Sequence, residues 1–240
     1  MRVSKENNKM KIIAEIGLNH DGNFNLIFEM VKVAKLAGAD AVKFQFGWRG
    51  NKDELNYIDI DRANQLKRWC EYIEIEMFAS IINKEGFEIA KQIDIPIYKI
   101  ASRTVRDDLE LCEQIIAEGK PTYISLGMWN QEGYPFSRKN IYYIYTKSLY
   151  PTFPWDLKDM PKKFNRGGYY GYSDHTYGIE ACILAISRGA QYIEKHLTLN
   201  KASQVIRDHI SSATPAELNE LVRIGKPLSN LVKALQETEA

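Results

Sequence analysis

Apolar and polar positions follow one another in blocks along this chain, and the period of the pattern switches back and forth. Residues 11–17 (KIIAEIG) form a short apolar run that reads as a strand. Residues 26–37 then carry apolar side chains at helical spacing and stop at Gly38, a residue suited to closing a helix. Asn23 or Asn25 is placed to cap that helix. The alternation repeats. Strands are expected at residues 41–46, 76–82, 97–101, 121–126, 141–148, 169–173 and 191–197. Helices are expected from 59 to 72, at 85–92, at 109–117 and at 179–188. Residues 133–140 allow a shortened helix or only a loop, and residues 155–164 a short helix. Thr214 opens the last helix as its N-cap, with Pro215 in the first turn and Glu217 completing a capping box.

About eight strands, nearly all followed by a helix, favour a parallel sheet, and ~240 residues match an α/β (β/α)8 TIM barrel folded as a single domain. Residues 1–10 are assigned to an N-terminal tail and residues 11–240 to the barrel. A doubly wound open sheet is the alternative, but no GxGxxG follows the first strand.

Composition narrows the function classes. With 45% hydrophobic and 26% charged residues the chain reads as an ordinary globular protein. A formal net charge of +1 argues against a surface specialised for nucleic acid or anionic membrane, while allowing a local basic pocket. No apolar run approaches the ~20 residues of a membrane span, and residues 1–11 hold no apolar leader core, so a cytoplasmic setting is expected. Cys70, Cys112 and Cys182 lie far apart in helix-like segments without CxxC spacing, which favours buried thiols.

Barrel chemistry sits at the C-terminal ends of the strands. There the chain places Glu15 with Asn19 and His20, then Lys43 and Gln45, Lys99 and Ser102, and Ser125. The later strands bring Ser148 and Tyr150, then Ser173, Asp174 and His175, and finally Glu194, His196 and Thr198. Asp208 and His209 follow on a loop that can reach the same rim. Ionisable groups on inward strand positions are costly unless paired, so lysines, glutamates and histidines together at one rim point to a catalytic pocket. The lysines suit a phosphate and a carboxylate. His175 and His196, one strand–helix–strand unit apart, suit a borderline transition metal whose shell water or substrate would complete.

Seven segments carry a resemblance. They are AEIGLNHDG (14–22), AGADAVKFQ (37–45), IPIYKIAS (95–102), GKPTYISLGM (119–128), YPT (150–152), GYSDHTYGIEA (171–181) and IEKHLTL (193–199). In this order the chain resembles the sialic acid synthase family over its catalytic barrel, without the C-terminal antifreeze-like domain that the family usually carries. The resemblance implies condensation of phosphoenolpyruvate with an N-acyl amino sugar, N-acetylmannosamine-like, to give a 2-keto-3-deoxy sugar acid and phosphate. It implies a divalent metal, commonly Mn2+, held by His175 and His196. It implies catalytic roles for Glu15, Lys43, Lys99 and Glu194. Substrate contacts are expected from Asn19, Gln45, Ser102, Ser125, Ser148, Tyr150, Ser173 and Asp208, and a homodimer is compatible with the family.

The chain departs from the family pattern at Arg103-Thr104, where a Gly-acid pair is usual, at Ser148 in place of an asparagine, and at residues 205–207 in place of Pro-Gly-Pro. Two other readings of the same residues are a Schiff-base aldolase on Lys99 or Lys43 and a catalytically degenerate barrel that binds a sugar acid or acts as a scaffold.

Overall fold

The computed structural model describes residues 9–149, 152–203 and 207–238. Its strands are β1 (Lys11–Glu15), β2 (Ala41–Phe46), β3 (Glu76–Ile81), β4 (Tyr98–Ile100), β5 (Thr122–Ser125), β6 (Ile141–Thr146), β7 (Tyr169–Asp174) and β8 (Tyr192–His196). All pair in parallel in sequence order, and β1 pairs with β8 to close the barrel. The helices are α1 (Phe24–Leu36), α2 (Ile60–Ile73), α3 (Lys84–Gln92), α4 (Ser102–Asp107), α5 (Leu109–Ala117), α6 (Glu180–Ser187) and α7 (Pro215–Thr238). The expected (β/α)8 architecture is therefore the observed one.

Strand alternation divides the apolar residues into two cores. Outward positions such as Ile12, Ala14, Val42, Phe44 and Ile100 join the buried faces of the helices in one large shell. Inward positions near the strand starts form a separate plug of Ile13, Ala41, Phe78, Ile97, Tyr123, Ile144 and Tyr192. Two tyrosine rings pack together in that plug, with Tyr123 and Tyr192 centroids 4.4 Å apart. Gly171 makes room for it, because a Cβ there would fall 2.6 Å from the Tyr192 Cβ. The plug closes the bottom of the barrel, so the remaining inward positions face one open rim.

Local expectations met mixed outcomes. Asn23 precedes α1 but makes no side-chain cap, whereas Asp59, Asn83 and Asp108 each accept a hydrogen bond at the start of their helices. Residues 133–140 form a loop. The short helix expected over 155–164 is reduced to one 3-10 turn at Pro154–Asp156, because Pro161 cannot donate to a continuing helix. An unexpected helix, α4, begins at Ser102 directly after β4. Met10, assigned to the tail, is buried in the outer core. All three cysteines are buried and unpaired, as expected. Among the described residues no helix is long and apolar enough to cross a membrane.

One polar contact in the outer shell is fully buried. Lys195 on β8 donates to Asp174 on β7 at 2.7 Å, and both side chains are wholly shielded from solvent. Asp174 also accepts from the Tyr172 hydroxyl at 2.6 Å, the Thr176 amide at 2.8 Å and the Cys182 thiol at 3.2 Å. Burial pushes its carboxyl up, but Lys195 and these donors outweigh that and hold it below the ordinary value. Asp174 and Lys195 are register partners, so the pair clamps β7 to β8 one residue before His175 and His196. Replacing Lys195→Met leaves a buried carboxylate without its cation. It is expected to cost about 3–5 kcal/mol in urea unfolding, and a loss under 1 kcal/mol would show that the clamp carries no such weight.

The capping box at α7 forms as expected. The Thr214 amide donates to Glu217 at 2.7 Å and the Glu217 amide donates to the Thr214 hydroxyl at 3.3 Å. Burial raises the Glu217 carboxyl, but Lys201 at 2.5 Å and the Thr214 donors bring it below its usual 4.5. A carboxyl depressed in the folded state contributes stability above its unfolded pKa and loses it as pH falls through the folded one. The difference in Tm between the wild type and Glu217→Gln is therefore expected at pH 7 and should shrink steadily below pH 4.5.

Candidate active site

Each strand contributes its last inward residues to one cavity at the C-terminal rim. This cavity, about 730 Å³ including its open mouth, is lined by Glu15, Lys43, Gln45, Lys99, Ser102, Ser125, Ser148, Ser173, His175, Glu194, His196 and Asp208, all expected there from the sequence. Parallel register explains the convergence. Glu15 lies beside Lys43 on one side and His196 on the other, and Ser173 lies beside Glu194.

Two ammonium groups and two carboxylates meet below the mouth. Lys43, Lys99, Glu15 and Glu194 are each at most 4% exposed. Lys43 pairs with Glu15 at contact distance and lies 3.7 Å from Glu194. Lys99 lies 3.4 Å from the other Glu194 oxygen. Glu194 also accepts from the Ser173 hydroxyl at 2.8 Å and from the Tyr192 hydroxyl.

The two carboxyls are driven in opposite directions. Burial pushes Glu194 up, but Lys43, Lys99 and the two hydroxyl donors overcome it, so the carboxyl stays ionised. Burial also pushes Glu15 up, and Lys43 offsets this only in part, so Glu15 ends above its ordinary value of 4.5. Burial lowers the Lys99 ammonium despite Glu194 beside it. Paired carboxyls held apart in this way can divide proton-carrying and charge-stabilising roles.

His175 and His196 face each other with ring centroids 5.4 Å apart. Burial and the neighbouring imidazole bring His175 down to about 3, so it is neutral and able to donate a lone pair. The Thr146 hydroxyl holds its Nδ1 at 3.2 Å. His196 Nδ1 is buried with no hydrogen-bond partner among the described residues. Among those residues no third His, Cys, Asp or Glu completes a ligand set. Two facing imidazoles, one of them oriented by Thr146, fit a divalent ion that leaves coordination positions open to oxygen ligands.

Other expectations resolve differently. Asn19 does not line the cavity; its amide donates to the Leu197 carbonyl and the Ser212 hydroxyl, both at 2.8 Å, tying the loop after β1 to the loop after β8. His20 and His209 also lie outside the cavity lining. His209 bridges Thr198 and Asp21, each at 2.7 Å. Tyr150 lies outside the described residues.

Sequence reasoning overlooked four residues. Ser80, which accepts from Lys43 at 2.7 Å, and Thr146 both line the cavity. Each sits two residues beyond an inward plug position, Phe78 or Ile144, so period-two counting could have found them. Tyr192 stands two residues before Glu194 and reaches it from the plug. Arg49 belongs to a loop whose path no local pattern revealed, and its guanidinium donates to Gln45 at 2.9 Å.

This geometry accords with the comparisons to known proteins. An uncharacterized protein of Methanocaldococcus jannaschii is 33% identical over 237 residues, a match that covers 88% of this chain and 68% of that protein. The N-acetylneuraminate-9-phosphate synthase of Homo sapiens is 28% identical over 250 residues, with the same shares covered. The crystal structure of N-acetylneuraminic acid (sialic acid) synthetase from Leptospira borgpetersenii shares the fold with a TM-score of 0.77 at 29% identity, over 94% of this chain and 86% of that one. Residues 52–238 match the NeuB family. The chain is thus a member of the NeuB family, and its rim of paired lysines, carboxylates and imidazoles is the site that membership must account for.

Proposed function

We propose that this protein condenses phosphoenolpyruvate with an N-acyl amino sugar, N-acetylmannosamine-like, giving a sialic-acid-like 2-keto-3-deoxy sugar acid and inorganic phosphate. The observation that carries this reading is the buried quartet of Lys43, Lys99, Glu15 and Glu194 beside two facing imidazoles. In the reaction, C3 of phosphoenolpyruvate bonds to the aldehyde carbon, water adds at C2, and the C2–O bond to phosphate breaks.

The chain's own groups suit these steps. Lys43 and Lys99 are point charges for the phosphate and carboxylate of phosphoenolpyruvate. Ser102, Ser125 and Ser173 add hydroxyls at the cavity wall, and the Ser125 hydroxyl is buried without a hydrogen-bond partner among the described residues. Glu194 stays ionised between the ammonium groups and holds them in place when substrate anions compete for them. Glu15, with its raised carboxyl, is the stronger base of the two and takes the proton from the water that adds at C2. Gln45 donates to Glu15 at 3.3 Å and keeps that carboxyl turned toward the reacting centre. Ser148 and Asp208 stand on the mouth side, where the acceptor enters.

His175 and His196 would hold a divalent ion, Mn2+ by preference, which when bound supplies Lewis-acid polarisation of the acceptor's aldehyde oxygen. Thr146 orients His175 for that task. The names of the relatives differ over phosphate: the human protein is named for a 9-phosphate product and the Leptospira protein for the unphosphorylated acid.

Two measurements test this reading. Phosphate release from phosphoenolpyruvate is expected only when an aldose acceptor and Mn2+ are both supplied. Glu15→Gln should lower kcat by about 10²–10⁴ while the KM for phosphoenolpyruvate changes little; an unchanged kcat removes Glu15 from proton transfer. Mn2+ binding read by electron paramagnetic resonance needs no turnover. His196→Ala should weaken it by at least about 100-fold and Thr146→Val by roughly tenfold, and unaltered binding in His196→Ala would reject the ion site.

A further inference from the structure

We infer that the loop after β1 is a positioning latch for the acceptor side of the site: Asn19 and Asp21 grip the loop after β8 at two points and set where Asp208 stands at the cavity mouth. This rests on the condensation reading, in which Asp208 meets the acceptor sugar. Asp208 lines the cavity, whereas Asn19 and Asp21 do not. The Oδ1 atom of Asp208 is buried and accepts no hydrogen bond among the described residues. Arg207 Nε lies 3.7 Å from it. That oxygen is available to a ligand, and its place depends on how the backbone behind it is held.

Two hydrogen-bond relays hold that backbone. In the first, the Asn19 amide donates to the Ser212 hydroxyl at 2.8 Å, and that hydroxyl donates to the Asp208 carbonyl at 2.6 Å. Ser211 donates to the same carbonyl at 3.2 Å. In the second, His209 Nε2 donates to Asp21 Oδ1 and its Nδ1 meets the Thr198 hydroxyl, each at 2.7 Å. Ser203 donates to the other Asp21 oxygen at 3.0 Å. Asn19, Thr198, His209 and Ser212 are each at most 2% exposed, so breaking either relay strands buried polar groups. An Asp–His–Thr series can serve nucleophilic catalysis, but Thr198 is wholly shielded from solvent and does not line this cavity, so here it tethers.

The gripping loop is itself tightly wound. Successive turns run from the Asn19 amide to the Ile16 carbonyl at 3.0 Å, from Asp21 to Leu18 at 3.1 Å and from Asn23 to His20 at 2.8 Å. Asp21 takes a left-handed φ of 52°, which aspartate and asparagine tolerate better than most residues. The gripped loop returns to β8 through backbone alone: the Thr198 amide donates to the Ala213 carbonyl at 2.9 Å and the Ala213 amide to the His196 carbonyl at 2.7 Å. These backbone contacts fix the loop's base, and the two relays fix the turn that carries Asp208. The motif at residues 14–22 thus divides its work. Glu15 acts inside the cavity, while Asn19 and Asp21 act from outside it through a carboxylate on another loop.

The test uses Asp21→Gly, which removes the grip but keeps a residue suited to the left-handed backbone, and Asp21→Asn, which keeps an acceptor for His209. With N-acetylmannosamine, phosphoenolpyruvate and Mn2+ supplied, Asp21→Gly should lower kcat/KM for the sugar by about 10- to 100-fold. The KM for phosphoenolpyruvate and Mn2+ binding read by electron paramagnetic resonance should stay within about twofold. Asp21→Asn should restore most of the loss. Added to Asp208→Asn, Asp21→Gly should cost less than about twofold more, because both changes act on one carboxylate. Losses that multiply independently overturn the inference. So does weakened Mn2+ binding, which would assign the loop to the support of His196 instead. Ser212→Ala cuts the other relay and should show the same coupling to Asp208, which keeps the inference testable if Asp21→Gly does not fold. If the wild type does not turn over this sugar, the condensation reading falls and crystal structures of the two variants decide the latch alone. An Asp208 carboxylate displaced by about 1 Å or more, with Glu15 and His175 in place, upholds it; an unmoved Asp208 rejects it.

Discussion

Neither the two ammonium groups nor the two carboxylates inside this barrel could be buried without the other pair. Charges taken out of water lose several kcal/mol each unless they are closely matched. Lys43 and Lys99 are matched by Glu15 and Glu194, and hydroxyls of Ser80, Ser173 and Tyr192 fill further hydrogen-bonding positions. Such a cluster joins side chains from β1, β2, β4 and β8 and favours the register that brings them together.

Everything around the quartet serves to keep it dry below and open above. The tyrosine plug seals the lower barrel and sends one hydroxyl, that of Tyr192, up to Glu194. The Asp174–Lys195 clamp works from the outer face, fixing β7 against β8 where each strand is about to deliver an imidazole. Inner and outer contacts alternate along the same strands: Ser173 and Glu194 point in, Asp174 and Lys195 point out, and His175 and His196 point in again. A slip of one residue would exchange these roles and place histidines in an apolar shell.

Much of this is legible in the chain's own pattern. The block pattern implied eight βα units, and closure of the barrel then brings strand ends together whatever their distance in sequence. Glu15, Lys43, Lys99, Glu194 and the two histidines could be singled out because polar residues in apolar strands are costly and need partners. Ser80 and Thr146 were within reach of the same counting. The loops were not. Asn19 sits in a motif beside Glu15, yet it bonds across to the β8 loop, because the loop turns its amide away from the cavity. Arg49 gave no periodic signal at all, and α4 begins at Ser102 without a strong local cap.

The sequence by itself determined the fold class, the order of the strands, and which strand ends carry ionisable groups, since these follow from hydrophobic period and from strand alternation. Only the tertiary structure decided how those groups divide their tasks. Burial is shared by Glu15 and Glu194, but the cations and hydroxyls around Glu194 keep it ionised while Glu15 rises. Only the tertiary structure brought Arg49, Arg103 and Arg207, far apart in the chain, to the lining of one cavity. Both outcomes depend on distances between residues far apart in the chain, and no local pattern records such distances.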